Sequence, residues 1–298
     1  MHGRPLSPVV LALAVATLAG CGEDFAYREG IDDWHAARIE RLRAEDGWLT
    51  LVGLHPLREG ANVVGTSVDA DVRLRGEAPA RVGVIVTGAG GLSFAPEPGA
   101  PVRRAGGGAV TAPIPVRTDL QDDTTVLAVG TLRFHVIDRG GRLFLRVKDI
   151  ESATRRSFEG VERFPVDADW RVTARLVPHD PPRGVAMPNA LGQVTLEPSP
   201  GTLVFELAGR TLSLTPTGEP GEDLFIVFAD ATTGDGTYGG GRFLSAAAPD
   251  ENGEVVLDFN KATNPPCAFT PHATCPLPPE GNTLELRVEA GEKTWGQH

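Results

Sequence analysis

The chain has 298 residues, 41% hydrophobic and 22% charged, enough for one large or two ordinary domains with real cores. Its formal net charge is −11, with 28 Lys and Arg against 39 Asp and Glu and no basic run, which argues against nucleic acid as a partner. The 36 glycines and 25 prolines, about a fifth of the chain, exclude a mainly helical fold and point to many short strands joined by turns.

Residues 1–21 read as a targeting segment. Arg4 supplies a short positive start, and Val9 to Leu18 is an apolar stretch too short to span a bilayer. It ends in Leu18-Ala19-Gly20-Cys21, which resembles the bacterial lipobox. That resemblance implies that Cys21 is lipidated and becomes the first residue of the mature chain, anchored in the membrane by several acyl chains. Gly22 stands where an Asp would retain the protein at the inner membrane, so an outer membrane is favoured where the cell has one. A plain signal peptide cut nearby is the alternative.

Residues 22–30 read as a tether. From Ile31, the residues Ile31, Trp34, Arg38 and Leu42 follow at helical spacing. Asp32 and Asp33 suit the start of this helix, Arg41 and Arg43 its end, and Gly47 stops it. Arg38 lies on the apolar stripe, where it either pairs with a carboxylate or points into a pocket. Residues 48–148 carry strand signals about every ten residues, with Gly140-Gly141 suited to a tight hairpin. Residues 149–177 read as a bridge whose end, Trp170 to Leu176, alternates like a strand; Pro178 to Pro182 reads as a loop. A second β region continues through Val194–Leu196, Leu203–Leu207, Thr211–Leu214, Leu224–Ala229, Gly241–Leu244, Val255–Asp258 and Leu284–Glu289.

Three constellations could carry chemistry. Tyr238 precedes Gly239-Gly240-Gly241-Arg242; successive glycines can converge N–H groups on an anion and Arg242 can add a charged fork, or the glycines can serve a close-packed bend. Asp230, Asp258, Asn260 and Asn264 lie at strand ends, where with Arg242 they can hold a polar ligand or a hard cation through oxygen atoms, or simply cap turns. Cys267 and Cys275 enclose a nine-residue, proline-flanked loop. With Cys21 lipidated, this even pair in an exported protein reads as a disulfide, stabilising by about 2–3 kcal/mol. Zinc on Cys267, His272 and Cys275 would lack a fourth ligand, and a Cys267 nucleophile with His272 as base is the other alternative. The other histidines show no ligand spacing, and no common hydrolase, metalloprotease or dinucleotide motif occurs; no cofactor and no metal are expected.

Residues 58–76 and 126–147 resemble forkhead-associated β-sandwiches in cadence, although the phosphate-reading residues are missing; Gly65-Thr66 and Ala80-Arg81 stand in their places. The stronger resemblance rests on Trp34 and Arg38, Gly47-Trp48-Leu49, Phe164-Pro165-Val166-Asp167 with Trp170, residues 225–244, and residues 257–279. Together these resemble the bacterial family catalogued as domain of unknown function 1684, over roughly residues 31–292. Pro56 stands where that family has Trp after His55, and His272 where it has Tyr.

The expected architecture is mainly β: an N-terminal helix within residues 22–47, a forkhead-associated-like sandwich over 48–148, and a second β domain over 149–298 packed on it. The expected function is that of a lipid-anchored envelope protein binding a small polar or anionic ligand, or a protein partner, at Arg38, Asp230, Tyr238, Gly239, Gly240, Gly241, Arg242, Asp258, Asn260 and Asn264. The alternatives are an enzyme using Asp230 or Asp258 as base with Arg242 as oxyanion anchor, and a structural lipoprotein without a site.

Overall fold

The computed structural model describes residues 9–296, with side chains from Asp24 onward except that of Pro182. Helix α1 runs Val9–Arg43. The expected tether is therefore helical. Glu23, Ala26, Arg28 and Glu29 favour a helix, Asp24 pairs with Arg28 one turn on, and Tyr27 is held by the β body. Cys21 lies in the part of α1 whose side chains are outside the described residues. Ile31 and Leu42 are the buried stripe of the helix. Gly47 ends the connection where any Cβ would meet the carbonyl oxygens of Leu42 and Arg41.

Ten strands follow: β1 (Leu51–Pro56), β2 (Gly60–Gly65), β3 (Val72–Arg73), β4 (Gly83–Thr87), β5 (Ser93–Pro96), β6 (Arg103–Arg104), β7 (Ile114–Pro115), β8 (Leu127–Val129), β9 (Leu132–Arg139) and β10 (Arg142–Asp149). They make two five-stranded sheets, ordered β1-β10-β9-β8-β6 and β3-β2-β4-β5-β7. Alternation sends Leu132, Phe134 and Val136 of β9 and Leu145 and Val147 of β10 into one core with Val64, Ile85 and Phe94 of the other sheet. Phe94 and Phe134 meet edge to face across it, 6.1 Å between centroids. The opposite face of β9 and β10 carries His135, Arg146 and Lys148, with Arg146 directly across from His135.

The short helix α2 (Ala153–Arg156), capped by Ser152, leads to the second unit. Its strands are β11 (Arg171–Pro188), β12 (Val194–Leu207), β13 (Arg210–Leu214), β14 (Leu224–Asp230), β15 (Arg242–Ala246), β16 (Glu254–Asp258) and β17 (Thr283–Leu284). They form a sheet β13-β12-β11-β16 and a smaller one, β15-β14-β17. The expected loop at Pro178–Pro182 is instead an irregularity inside β11, where the pairing with β12 shifts between Pro178 and Arg183. A ladder with bonds missing at one place accommodates prolines that an uninterrupted one would not. The cis peptide bond among the described residues lies here, at Asp180–Pro181. The expected strand Leu284–Glu289 shrinks to Thr283–Leu284, because beyond it the backbone bonds to side chains: Val288 N–H donates to Asp230, and the Val288 and Ala290 carbonyls accept from Arg242. The core of this unit gathers Leu203 and Phe205 of β12, Ile226 and Phe228 of β14, and Leu257 and Phe259 at the end of β16.

The two units and the helix meet around the cysteine loop. Leu51 of β1, Trp48, Phe243, Ala273, Cys267 and Cys275 form one small apolar cluster. Leu42 of α1, Phe158, Phe269, Tyr238 and Trp295 contribute to another. The β11–β12 hairpin reaches back to the first unit, where Gln193 Nε2 donates to the Arg139 carbonyl at 2.8 Å, and to the cysteine loop, where Ala190 N–H donates to the Cys275 carbonyl at 3.0 Å.

Candidate functional site

The expected site residues resolve into three separate buried clusters. The first is an ion pair. Arg242 Nη2 donates to Asp230 Oδ2 at 2.7 Å, both side chains fully enclosed. Arg242 also donates to the Val288 carbonyl at 2.9 Å and to the Ala290 carbonyl, with its guanidinium 5.3 Å from the Phe228 ring centre. Asp230 Oδ1 takes Thr232 N–H at 2.8 Å, Thr232 Oγ1 at 2.6 Å and Val288 N–H at 3.2 Å. Burial pushes the Arg242 guanidinium below its ordinary value and Asp230 opposes the shift. The pair knits β14, β15 and the irregular C-terminal segment together and leaves no opening for a substrate.

The glycines before Arg242 serve that packing. Gly241 has φ 83°, and a Cβ there would lie 2.6 Å from the Phe228 carbonyl oxygen and 2.7 Å from Pro278. Its N–H donates to the Tyr238 carbonyl at 3.1 Å, so it is committed to a turn and is not free for an anion. A Cβ on Gly240 would strike the Tyr238 ring at 2.6 Å, while Gly239 has open space around it. The expected anion cradle of Gly239, Gly240 and Gly241 is thus a close-packed bend.

The second cluster joins β16 to the helix. Tyr27 Oη donates to Asp258 Oδ1 at 2.9 Å and accepts from Asn260 Nδ2 at 2.9 Å. Asn260 also donates to the Asp167 carbonyl at 2.8 Å and accepts Asp167 N–H at 3.2 Å. Burial raises the Tyr27 phenol and Asp258 raises it further, so the group stays a donor. In the third cluster Arg38 Nε donates to Glu292 Oε1 at 3.2 Å and Nη2 to the Asn264 carbonyl at 3.1 Å. Glu292 Oε2 takes Asn264 N–H at 2.7 Å, and Asn264 Nδ2 donates to the Lys293 carbonyl at 2.7 Å. Burial raises the Glu292 carboxyl and Arg38 lowers it. With Asp32 bridging to Arg163, these contacts hold α1 along the second β unit. Asp258, Asn260, Asn264 and Arg38 therefore act as a clamp on the helix rather than as walls of a cavity. Tyr238 stands apart from all three clusters, half-buried beside Phe158, Phe269 and Trp295.

Cys267 and Cys275 do face each other, as free thiols without a disulfide. Cys267 N–H donates to Cys275 Sγ at 3.0 Å and Cys275 N–H to Cys267 Sγ at 3.3 Å. The loop is pinned to the first unit by Thr270, whose hydroxyl donates to the Leu51 carbonyl at 3.1 Å, and by Thr274, whose oxygen accepts from Arg139 Nε at 3.2 Å. Among the described residues no cluster of three His, Cys, Asp or Glu side chains could hold a metal ion.

Sequence reading missed the cleft that lies beside this loop, because its walls come from distant segments. It encloses about 510 Å³ between the two units. Asp119, Leu120 and Arg139 line one side, Met187, Asn189, Glu197 and Phe225 the other, and Thr274 and Pro276 of the cysteine loop the end. Arg139 Nη1 pairs with Asp119 Oδ2 at 2.7 Å on its rim. Tyr27 and Glu292 also escaped notice. Neither sits in a recognisable motif; the scarcity of tyrosine, two in the whole chain, was the one available hint for Tyr27.

The molecule is thus a two-unit, mainly β protein with an N-terminal helix fixed by buried polar clusters. Residues 156–293 match the sequence profile of the family described as protein of unknown function (DUF1684), and the chain belongs to that family. A solution NMR structure of an uncharacterised protein from Haloarcula marismortui is 35% identical over 49% of this chain and 82% of that one, with a TM-score of 0.41. No protein of curated function matches.

Proposed function

We propose that this is a lipid-anchored envelope protein that binds a small polar ligand in the cleft between its two β units. Cys21 carries the lipid, the preceding residues are the removed signal, and an outer membrane is the favoured location where one exists. The observation that carries the binding reading is the cleft itself. Its volume, about 510 Å³, falls in the range of small-molecule sites. Leu120, Met187, Phe225 and Pro276 supply apolar surface, while Arg139, Asn189, Glu197 and Thr274 converge as a small polar set of both signs. That mixture suits a zwitterionic or hydroxylated molecule better than a polyanion. Asp230, Asp258 and Arg242, the groups an enzymatic scheme would need, are spent on buried internal bonds and do not support turnover. In an oxidising envelope the thiols of Cys267 and Cys275 close to a disulfide beside the cleft.

The test is native mass spectrometry of the protein released from envelopes, compared with a Thr195→Trp variant, since Thr195 also lines the cleft and a Trp there fills it. Retention of a small molecule by the native chain, and its loss in the folded variant, is the expected result. A ligand retained equally by both, or a chain that carries none and gains no thermal stability from a library of small polar metabolites, overturns the reading. Anchoring is tested separately by fatty-acid labelling, which Cys21→Ser should abolish.

A further inference from the structure

Arg146 is a buried cation without a carboxylate. It is 6% exposed, yet its one hydrogen bond to a side chain is to Thr274 Oγ1 at a long 3.5 Å, and Nε has no partner among the described residues. The nearby acid, Asp119, is taken by Arg139. The Arg146 guanidinium lies 5.4 Å from the Trp48 ring centre, and Trp48 packs in the cluster that contains both Cys267 and Cys275. Burial lowers the Arg146 guanidinium from 12.5 to about 10, and a negative charge formed beside it would favour its charged form. Among the described residues that favour its charge, Asp119 is shared with Arg139, and Cys275 and Cys267 are the ones that could gain a new negative charge.

We propose that Cys267 and Cys275 form a reversible dithiol–disulfide couple, with Cys267 the attacking thiolate and Arg146 its counter-charge. The two thiols are not equivalent. Cys275 is buried, whereas Cys267 is only partly buried and so the more accessible of the two to an incoming sulfur. Each sulfur already accepts the other residue's N–H, at 3.0 and 3.3 Å, so the pair is aligned without rearrangement of the loop. The Cys275 S–H, the Cys275 backbone N–H and the Arg146 charge all hold the Cys267 thiol below its ordinary value, while Cys275 is pushed upward by its contact with Cys267. That is the asymmetry an attacking and a resolving thiol require.

The reaction is exchange with a disulfide, R–S–S–R. The Cys267 thiolate attacks one sulfur, forming a mixed disulfide and expelling one R–S⁻. Cys275 then loses its proton to solvent or to that leaving thiolate, attacks the Cys267 sulfur and expels the second. Two protein thiols and one disulfide become one protein disulfide and two small thiols. The proposal refines the envelope disulfide above but is tested in vitro, so its failure does not bear on where the protein resides or on the cleft.

The test uses the full chain carrying Cys21→Ser, so that two thiols remain. Alkylation by iodoacetamide is followed against pH, with peptide mass spectrometry to assign the sites, and the reduced protein is then titrated with oxidised and reduced glutathione. Expected are alkylation of Cys267 at least tenfold faster than of Cys275, a midpoint below that of a free thiol, and an intramolecular disulfide that glutathione both forms and reverses. Arg146→Gln should slow Cys267 alkylation at pH 7 about tenfold, and Arg146→Lys should restore most of it. If Arg146→Gln does not fold, the native pH profile and the Lys variant decide. A Cys267 midpoint at or above that of a free thiol overturns the assignment. So does a disulfide that reduced glutathione cannot open in the folded protein, or a rate indifferent to Arg146.

Discussion

Replacing Arg242 by Met separates a ligand anchor from a buried staple. In the native chain Asp230 Oδ2 has Arg242 as its hydrogen-bonding partner, while Oδ1 is already served by Thr232 and Val288. The substitution therefore leaves a carboxylate enclosed with half its bonding lost, and strips the Val288 and Ala290 carbonyls of a charged donor. Breaking one side of such a pair costs about 3–5 kcal/mol, a large fraction of the roughly 5–15 kcal/mol that holds a domain folded. At about 2–4 °C per kcal/mol, the melting temperature should fall by roughly 6–20 °C. Thermal unfolding followed by tryptophan fluorescence measures that shift, and urea unfolding measures the free-energy loss. Asp230→Asn in the same chain removes the stranded charge and should recover part of the loss, a coupling that a double-mutant cycle quantifies. A variant within about 0.5 kcal/mol of native would refute the staple, since surface substitutions have effects of that size.

Other outcomes follow from the same contacts. Tyr27→Phe removes the hydroxyl shared by Asp258 and Asn260 and should cost about 1–3 kcal/mol, with faster proteolysis within α1; unchanged protease resistance would mean the helix is held elsewhere. Glu292→Ala strands Arg38 and frees Asn264 N–H, so it should cost about 2–4 kcal/mol by urea unfolding, whereas an exposed pair would cost under 1. Gly241→Ala places a methyl against the Phe228 carbonyl at positive φ and should lower the melting temperature, or prevent folding, without touching any charged group. His135 is pushed down to about 4 from 6.5, first by burial and then by Arg146 and Lys148. Between those values the unfolded chain binds a proton that the folded chain refuses, so stability is complete above pH 6.5 and is lost as pH falls towards 4. Discounted for partial exposure, the loss is about 1–2 kcal/mol, and His135→Gln should flatten that part of the stability–pH curve.

The strands were legible where alternation and turn residues coincide. β9 and β10, joined by Gly140-Gly141, announce themselves by two-residue periodicity and a hairpin turn. β11 was harder, since its prolines read locally as a break while pairing with β12 carries the strand past them. The sequence places Asp230, Asp258, Asn260 and Asn264 at strand ends, but it does not carry what they bond to. Whether Asp258 faces a ligand or Tyr27 depends on a contact 231 residues away in sequence. Arg146 carries no signal in the sequence that sets it apart from a solvated charge; it is buried by its contacts with Thr274 of the cysteine loop and with Trp48. The cleft has no signature in the sequence because no single segment builds it.

The way α1 is fastened bears on how the protein would stand at a membrane. Tyr27 is bound to Asp258, and the chain from Cys21 to that point is six residues of helix, about 9 Å at 1.5 Å per residue. If Cys21 carries the lipid, the β body has no leash. It rides on a short rigid stalk, close against the headgroups, with its orientation held by the Tyr27 contact. Cutting the Tyr27 contact would turn that mount into a swivel, and lengthening the stalk by whole helical turns would raise the body without turning it.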